Sequence, residues 1–234
     1  MPLTTLYKIL ACTSLIVTSL MPIFSYADGG IVLGGTRVIY PAGQKESSIT
    51  VRNTSNSSRY MVQSWVEEQS GKKTTDFIVT PPLYVSNPGS ENTLRLMYVG
   101  GGVPSDHESL YYLVSKTIPA IDKNKTAGKN ILMLSAATRI KLIVRPAGLK
   151  PSPSEAPSQL AFSRSGNTVT VKNPTPYYIT LTRIKINGVD LKKAVMVPPS
   201  GDSSLVLPSA QGGKLSFLTI NDFGGFSDEQ TKEI

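Results

Sequence analysis

From residue 30 onward the apolar positions fall at every second place or in short β-branched runs, and Gly, Pro or Asn interrupts them at short intervals. That pattern predicts many short strands and almost no helix, as in an all-β sandwich. In the first half the alternation predicts strands over residues 30–40, 47–53, 59–67, 77–80, 92–98, 109–118 and 131–144. Turns are expected at Pro41-Ala42-Gly43, across 53–58, at Ser70-Gly71 and at Asn87-Pro88-Gly89, where Gly and Asn tolerate positive φ and Pro presets its own. Residues 122–130, rich in Lys, read as a short polar loop before the last strand.

The pattern breaks between Arg145 and Pro153, where Pro146, Pro151 and Pro153 forbid continued sheet pairing. A domain boundary is expected there, with an N-terminal domain over 28–147 and a C-terminal domain over 148–234. Shorter strands follow near 160–163, 168–172, 177–186, 194–197, 203–207 and 215–220, and Asn187-Gly188 is a two-residue hairpin signal. No repeat is visible between the halves, which predicts a shared architecture without a duplicated motif.

The first residues differ from the rest. Lys8 precedes an apolar run over 9–24, and Ser25-Tyr26-Ala27 supplies small residues at the positions a signal peptidase reads. Residues 1–27 are therefore expected to be a signal peptide cleaved after Ala27; Thr13, Ser14, Thr18, Ser19 and Pro22 break the run too often for a membrane span. Cys12, the sole cysteine, leaves with that leader, so the exported chain relies on packing and not on disulfides. Loss of Lys8 lowers the net charge by one from +8, to +7. The basic residues are scattered, which reads as solubility and not as a nucleic-acid surface.

His107 is the only histidine. With that single histidine and no retained cysteine, the sequence is read as lacking Ser-His, Cys-His, zinc-finger and copper-site chemistry, and a metal site would need carboxylates alone. No carboxylate pair stands out as a glycosidase would require. The chain is read as a binding protein, not an enzyme.

Three separated segments carry a resemblance: Val32-Leu33-Gly34-Gly35-Thr36-Arg37-Val38-Ile39-Tyr40-Pro41, Pro104-Ser105-Asp106-His107-Glu108-Ser109-Leu110-Tyr111-Tyr112, and Thr138-Arg139-Ile140-Lys141-Leu142-Ile143-Val144-Arg145-Pro146. Phe77–Leu83, Glu91–Arg95, Asn173–Tyr178 and Thr219–Gly224 extend it across nearly the whole mature chain, in order. The chain resembles the PapD-like periplasmic chaperones of the chaperone–usher pilus pathway, most closely their type 1 fimbrial members. The absent cysteine pair and the short 122–130 loop resemble the short-loop branch that assembles rod-like pili.

The resemblance implies two immunoglobulin-like β-sandwich domains set at an angle, with a cleft that holds a pilus subunit. It implies that Arg37 and Lys141 bind the subunit's C-terminal carboxylate, as a guanidinium beside an ammonium would do through charge-assisted bonds. Leu132, Leu134 and Ala136, at period two on one edge, become the donor residues that fill a groove in the subunit; Ala136 is smaller than the aliphatic usual there. Lys141 falls on the opposite face from these three, so a bulge or bend is expected near Ala136-Ala137-Thr138. Glu108, Arg145 and Asp222 match an interdomain ion network. The implied function is capping of fimbrial subunits by donor-strand complementation in the periplasm and delivery to an outer-membrane usher. No cofactor is implied, and no nucleic acid or membrane insertion. Self-association through the exposed donor edge is left open. The alternative, a fimbrial subunit or adhesin module, is disfavoured by the missing cysteine pair and by a C-terminus that lacks the aromatic residue usual in subunits.

Overall fold

The computed structural model describes residues 29–120, 132–207 and 212–234. The expected signal peptide and the 122–130 loop lie outside them. Among the described residues there are seventeen strands and a single 3-10 turn at Ala156–Gln159.

Two separate cores follow from two sandwiches. The first pairs a sheet of β1 (Ile31–Leu33), β3 (Ser47–Asn53), β7 (Glu91–Tyr98) and β5 (Phe77–Thr80) with a sheet of β2 (Arg37–Pro41), β9 (Ala136–Arg145), β8 (Ser109–Pro119), β4 (Tyr60–Glu67) and β6 (Leu83–Ser86), in those orders. Inward residues at period two, among them Val51, Val66, Leu94, Leu96, Leu113 and Leu142, form its core.

The second sandwich sets β10 (Ala161–Ser165), β11 (Thr168–Asn173) and β15 (Gly201–Val206) against β13 (Val189–Asp190), β12 (Ile179–Ile186), β16 (Lys214–Thr219) and β17 (Gln230–Glu233), with β14 (Val195–Val197) also on β12. Its core is a distinct cluster that includes Val171, Leu181, Ile184, Leu215 and Phe217. Asn187 and Gly188 both take positive φ and join β12 to β13 as the hairpin signal predicts.

Several expectations need correction. The strand expected over 30–40 is two strands in different sheets: β1 lies on β3, and after Gly34-Gly35-Thr36 the chain enters the other sheet as β2. The buried position is odd in β1, at Leu33, and even in β2, at Val38 and Tyr40, but Ile31-Val32-Leu33 and Val38-Ile39-Tyr40 are continuous apolar runs, so the sequence does not show the change. A Cβ on Gly34 would meet Thr50 Cβ at 3.2 Å, which explains a glycine where the chain passes between sheets. β6 and β17 were not expected: only Pro81 and Pro82 separate β6 from β5, and β17, Gln230–Glu233, has no apolar residue to mark a period.

The absence of a shared motif is also overturned. Asn53 ends β3 and Asn173 ends β11, and both are fully buried. Asn53 Nδ2 reaches the carbonyls of Ser58, Ser86 and Asn87, while Asn173 Nδ2 reaches those of Tyr177, Val197 and Pro198. Their Oδ1 atoms accept the backbone N–H two residues on, from Ser55 and Thr175. Each sandwich thus closes the same kind of strand-to-loop exit with one amide, which satisfies carbonyls that burial would otherwise leave unpaired.

Candidate functional site

β2 runs parallel to β9, with Arg37 level with Lys141. Level residues on neighbouring strands share a face, so the two cations stand side by side, directed away from the first core. Arg37 Nη1 donates to the Ile220 carbonyl at 3.2 Å, and Lys141 Nζ donates to Thr180 Oγ1 at 2.7 Å. Both contacts cross to the second sandwich. Arg37 Nε is buried and has no hydrogen-bond partner among the described residues.

Burial is the largest influence on both groups. It brings Lys141 down to about 8, with the neighbouring Arg37 charge acting in the same direction. It lowers Arg37 as well, against Asp222 and Glu108, which raise it. Two half-buried cations, the lysine depressed further by the arginine beside it and the arginine with a donor unsatisfied among the described residues, form a site suited to an anion of the size of a carboxylate.

The three residues expected as an ion network are brought together at the domain junction. Arg145 Nη1 and Nη2 donate to the two oxygens of Asp222 at 2.6 and 2.7 Å, and its Nε donates to Glu108 Oε1 at 2.6 Å. Glu108, only 1% exposed, accepts the Tyr178 backbone N–H on its other oxygen at 2.7 Å. Burial pushes the Glu108 carboxyl above its ordinary value, against Arg145 and the Tyr178 N–H, which pull it down. For Arg145, burial acts downward, yet its bonds and charges with Asp222 and Glu108 outweigh that and raise it. A cleft of about 540 Å³ lies beside this network, lined by Arg37, Ile143, Arg145, Tyr177, Ile179 and Phe223 among others.

Of the remaining expected residues only Ala136 is in β9: the strand expected over 131–144 begins at Ala136, and Leu132 and Leu134 fall before it. Among the described residues the first half of β9, from Ala136 to Ile140, pairs with β8 alone, because β2 covers only Lys141 to Arg145. That half is an open edge. Leu132 and Leu134 are 84% and 73% exposed. Ala136 begins the strand and is exposed too.

The expected bulge is not there. Ala136 through Val144 pair with Thr117 through Ser109 without a register shift. Even-numbered Ile140, Leu142 and Val144 enter the core, and Ala136 shares their face beyond the core's end. Odd-numbered Arg139, Lys141 and Arg145 point the other way. Within β9 the core-facing and cationic positions thus alternate without interruption, and no change of parity falls between Ala136 and Lys141. The irregularity falls instead in β12, between Thr182 and Lys185.

Residues 30–150 match the family of pili and flagellar-assembly chaperones through its PapD N-terminal domain, and residues 155–231 match the PapD C-terminal domain. The chain belongs to the pili-assembly chaperone family. Among curated members, it is 48% identical over 200 residues to the probable fimbrial chaperone SfmC of Escherichia coli K12, covering 86% of each chain. It is 43% identical to the chaperone protein FimC of the same strain over 212 residues, 90% of this chain and 87% of that one. Among solved pili-assembly chaperone structures, that of the periplasmic chaperone SfaE matches with 40% identity and a TM-score of 0.75, over 86% of this chain and 98% of the other. A Salmonella enterica structure of the SafA pilin in complex with the SafB chaperone matches with 31% identity and a TM-score of 0.80, covering 90% and 99%.

Within this chaperone fold, some residues of the site had no separate signal in the sequence. Thr180, the Ile220 carbonyl and the Tyr178 N–H come from the second sandwich, and only the packing of the two domains brings them near β9. Arg139 and Glu67 could have been found from parity: Arg139 shares the odd face with Lys141, and Glu67 pairs with Tyr112, which pairs with Lys141.

Proposed function

We propose that the chain is a periplasmic chaperone that captures pilus subunits by lending them a strand, and that it is not an enzyme. The observation that carries this reading is the open half of β9, flanked by exposed Leu132 and Leu134 and ending at the level pair Arg37 and Lys141. An unpaired edge attracts a strand. Exposed leucines on one face supply apolar contacts at about 1.5–3 kcal/mol each once buried, and the cation pair supplies an end-stop for a chain carboxylate.

The geometry also gives polarity. A guest strand whose terminal carboxylate sits at Arg37 and Lys141 runs toward β2 along β9, in the same direction as β9 itself. It occupies the edge until β2 begins. The Glu108–Arg145–Asp222 network fixes how the second sandwich sits against this edge, so that Thr180 and Ile220 complete the cation site. A subunit related to the SafA pilin, delivered afterwards to an outer-membrane usher, is the proposed guest, and removal of a leader after Ala27 is the proposed route to the periplasm.

The test is co-purification of a tagged subunit with the mature chain. Capture should be lost with Arg37→Ala and with Lys141→Ala; full-strength capture by both variants would refute the assigned grip.

A further inference from the structure

Thr180, on β12 of the second sandwich, accepts a hydrogen bond from Lys141 Nζ at 2.7 Å. Among the described residues that ammonium has no other acceptor. Its place is otherwise unfavourable, because burial and the neighbouring Arg37 charge both act against a proton there. A lysine stem is long and flexible enough to carry its charge out to water. The acceptor is what keeps Nζ beside Arg37.

Thr180 is a fixed acceptor. It is 5% exposed, its β-branched side chain is stiff at χ1, and its backbone pairs with Met196 of β14. Its carbonyl accepts the Ile220 N–H at 3.1 Å, and the Ile220 carbonyl in turn accepts from Arg37 Nη1. One backbone bond thus joins the two groups of the second sandwich that hold the two cations. Two residues before Thr180, the Tyr178 N–H bonds Glu108; two residues after Ile220, Asp222 bonds Arg145. Each of these segments therefore gives one contact to the ion network and one to the cation pair.

We infer that Thr180 is a positioning residue that holds the Lys141 ammonium beside Arg37, so that a guest's carboxylate is gripped at full strength only when the two sandwiches are docked. This rests on the strand-capture reading above. An ammonium has three N–H donors, and the one given to Thr180 leaves two for the guest. A side chain fixed in advance loses little freedom on capture. A shift of the second sandwich at the ion network is carried over two residues to both cations, which ties the angle between the domains to the strength of the grip.

The experiment uses the mature full-length chain and twelve-residue peptides of alternating apolar and polar residues, ending in a free α-carboxylate or in a carboxamide. The quantity read is the ratio of the two affinities. Thr180→Val keeps the branched shape without the hydroxyl and should lower that ratio roughly tenfold, the scale of one charge-assisted bond, with the amide bound as before. Thr180→Ala, smaller and also without the hydroxyl, should behave alike. Thr180→Ser keeps the hydroxyl and should stay within about twofold of the wild type. In a Lys141→Met chain, adding Thr180→Val should change the ratio by less than about twofold, since no ammonium is left to position. An unchanged ratio in Thr180→Val and Thr180→Ala, an equal loss in Thr180→Ser, or a further loss of about tenfold in the double variant overturns the inference and leaves capture standing. Equal binding of acid and amide by the wild type overturns the capture reading, and this inference falls with it.

Discussion

Lys141 sits level with Arg37 on an adjacent parallel strand, and its ammonium is held at about 8 by burial and by that neighbouring charge. A captured carboxylate would restore its proton affinity, so capture above about pH 8 takes up a proton. Affinity should therefore fall as pH rises from 7 to 9.5, approaching roughly tenfold per unit above 8. Calorimetric titration in buffers of different ionisation enthalpy measures that proton directly. Lys141→Arg should flatten the profile.

The same depression has a stability consequence with the opposite sign. The unfolded chain, with lysine near 10.5, binds more protons than the folded one between about pH 8 and 10.5, so Lys141 makes the free chain more stable as pH rises through that window. Replacing the buried charge by an apolar group of similar length removes the penalty at neutral pH. Lys141→Met should raise Tm by a few degrees while abolishing capture, a split that scanning calorimetry and subunit co-purification together reveal.

Leu132 and Leu134 make few contacts in the free chain. Changing either to Ala should leave the denaturant midpoint unchanged, yet weaken subunit binding by about 1.5–3 kcal/mol each. A loss of intrinsic stability in either variant would show that they belong to the first domain's own core.

At the junction, truncation of Arg145 leaves the buried Glu108 carboxylate without its cation and frees Asp222. Arg145→Ala should cost about 3–5 kcal/mol in chemical denaturation. Small-angle scattering should show a broader spread of domain orientations. Asp222→Asn, at a more exposed site, should do less of both.

Asn53 and Asn173 are each the hub of three backbone carbonyls in a buried loop exit. Either change to Ala should destabilise its sandwich by about 2–4 kcal/mol, since the abandoned carbonyls remain buried. Hydrogen exchange should place the loss in the mutated domain. The same burial closes the Asn53-Thr54-Ser55 triplet to glycosylation, because its amide nitrogen is already engaged.

Much of this was legible beforehand. The two sandwiches follow from alternation and proline spacing, and Asn187-Gly188 marks its hairpin without help from tertiary structure. Arg37, Lys141, Glu108, Arg145 and Asp222 stand out through motifs, and the structure sets them in two neighbouring clusters. What alternation does not carry is the identity of the sheet: the inward residue is odd at Leu33 and even at Val38 and Tyr40, and the continuous apolar runs on either side of Gly34-Gly35 hide that change. Parity also misled at β9. The apolar and cationic positions were expected to need a bulge because both had to meet one guest, whereas a strand edge presents both its faces to a neighbour that adds alongside it. The paired amides at Asn53 and Asn173 escaped because two asparagines separated by about half the chain do not rise above chance.

The passage of the chain from one sheet to the other at Gly34-Gly35-Thr36 delivers β2 to the edge of β9 at a fixed point, with Arg37 as its first residue. This makes the open edge a ruler as well as a template. Seats along it are finite, and the last one is closed off by the host's own backbone. A guest lengthened at its tail, by a few residues of native extension or by a fused tag, would have to buckle or slide back by a residue, turning its apolar side chains outward. Tail length, and not only tail sequence, becomes a property that admits or rejects a guest.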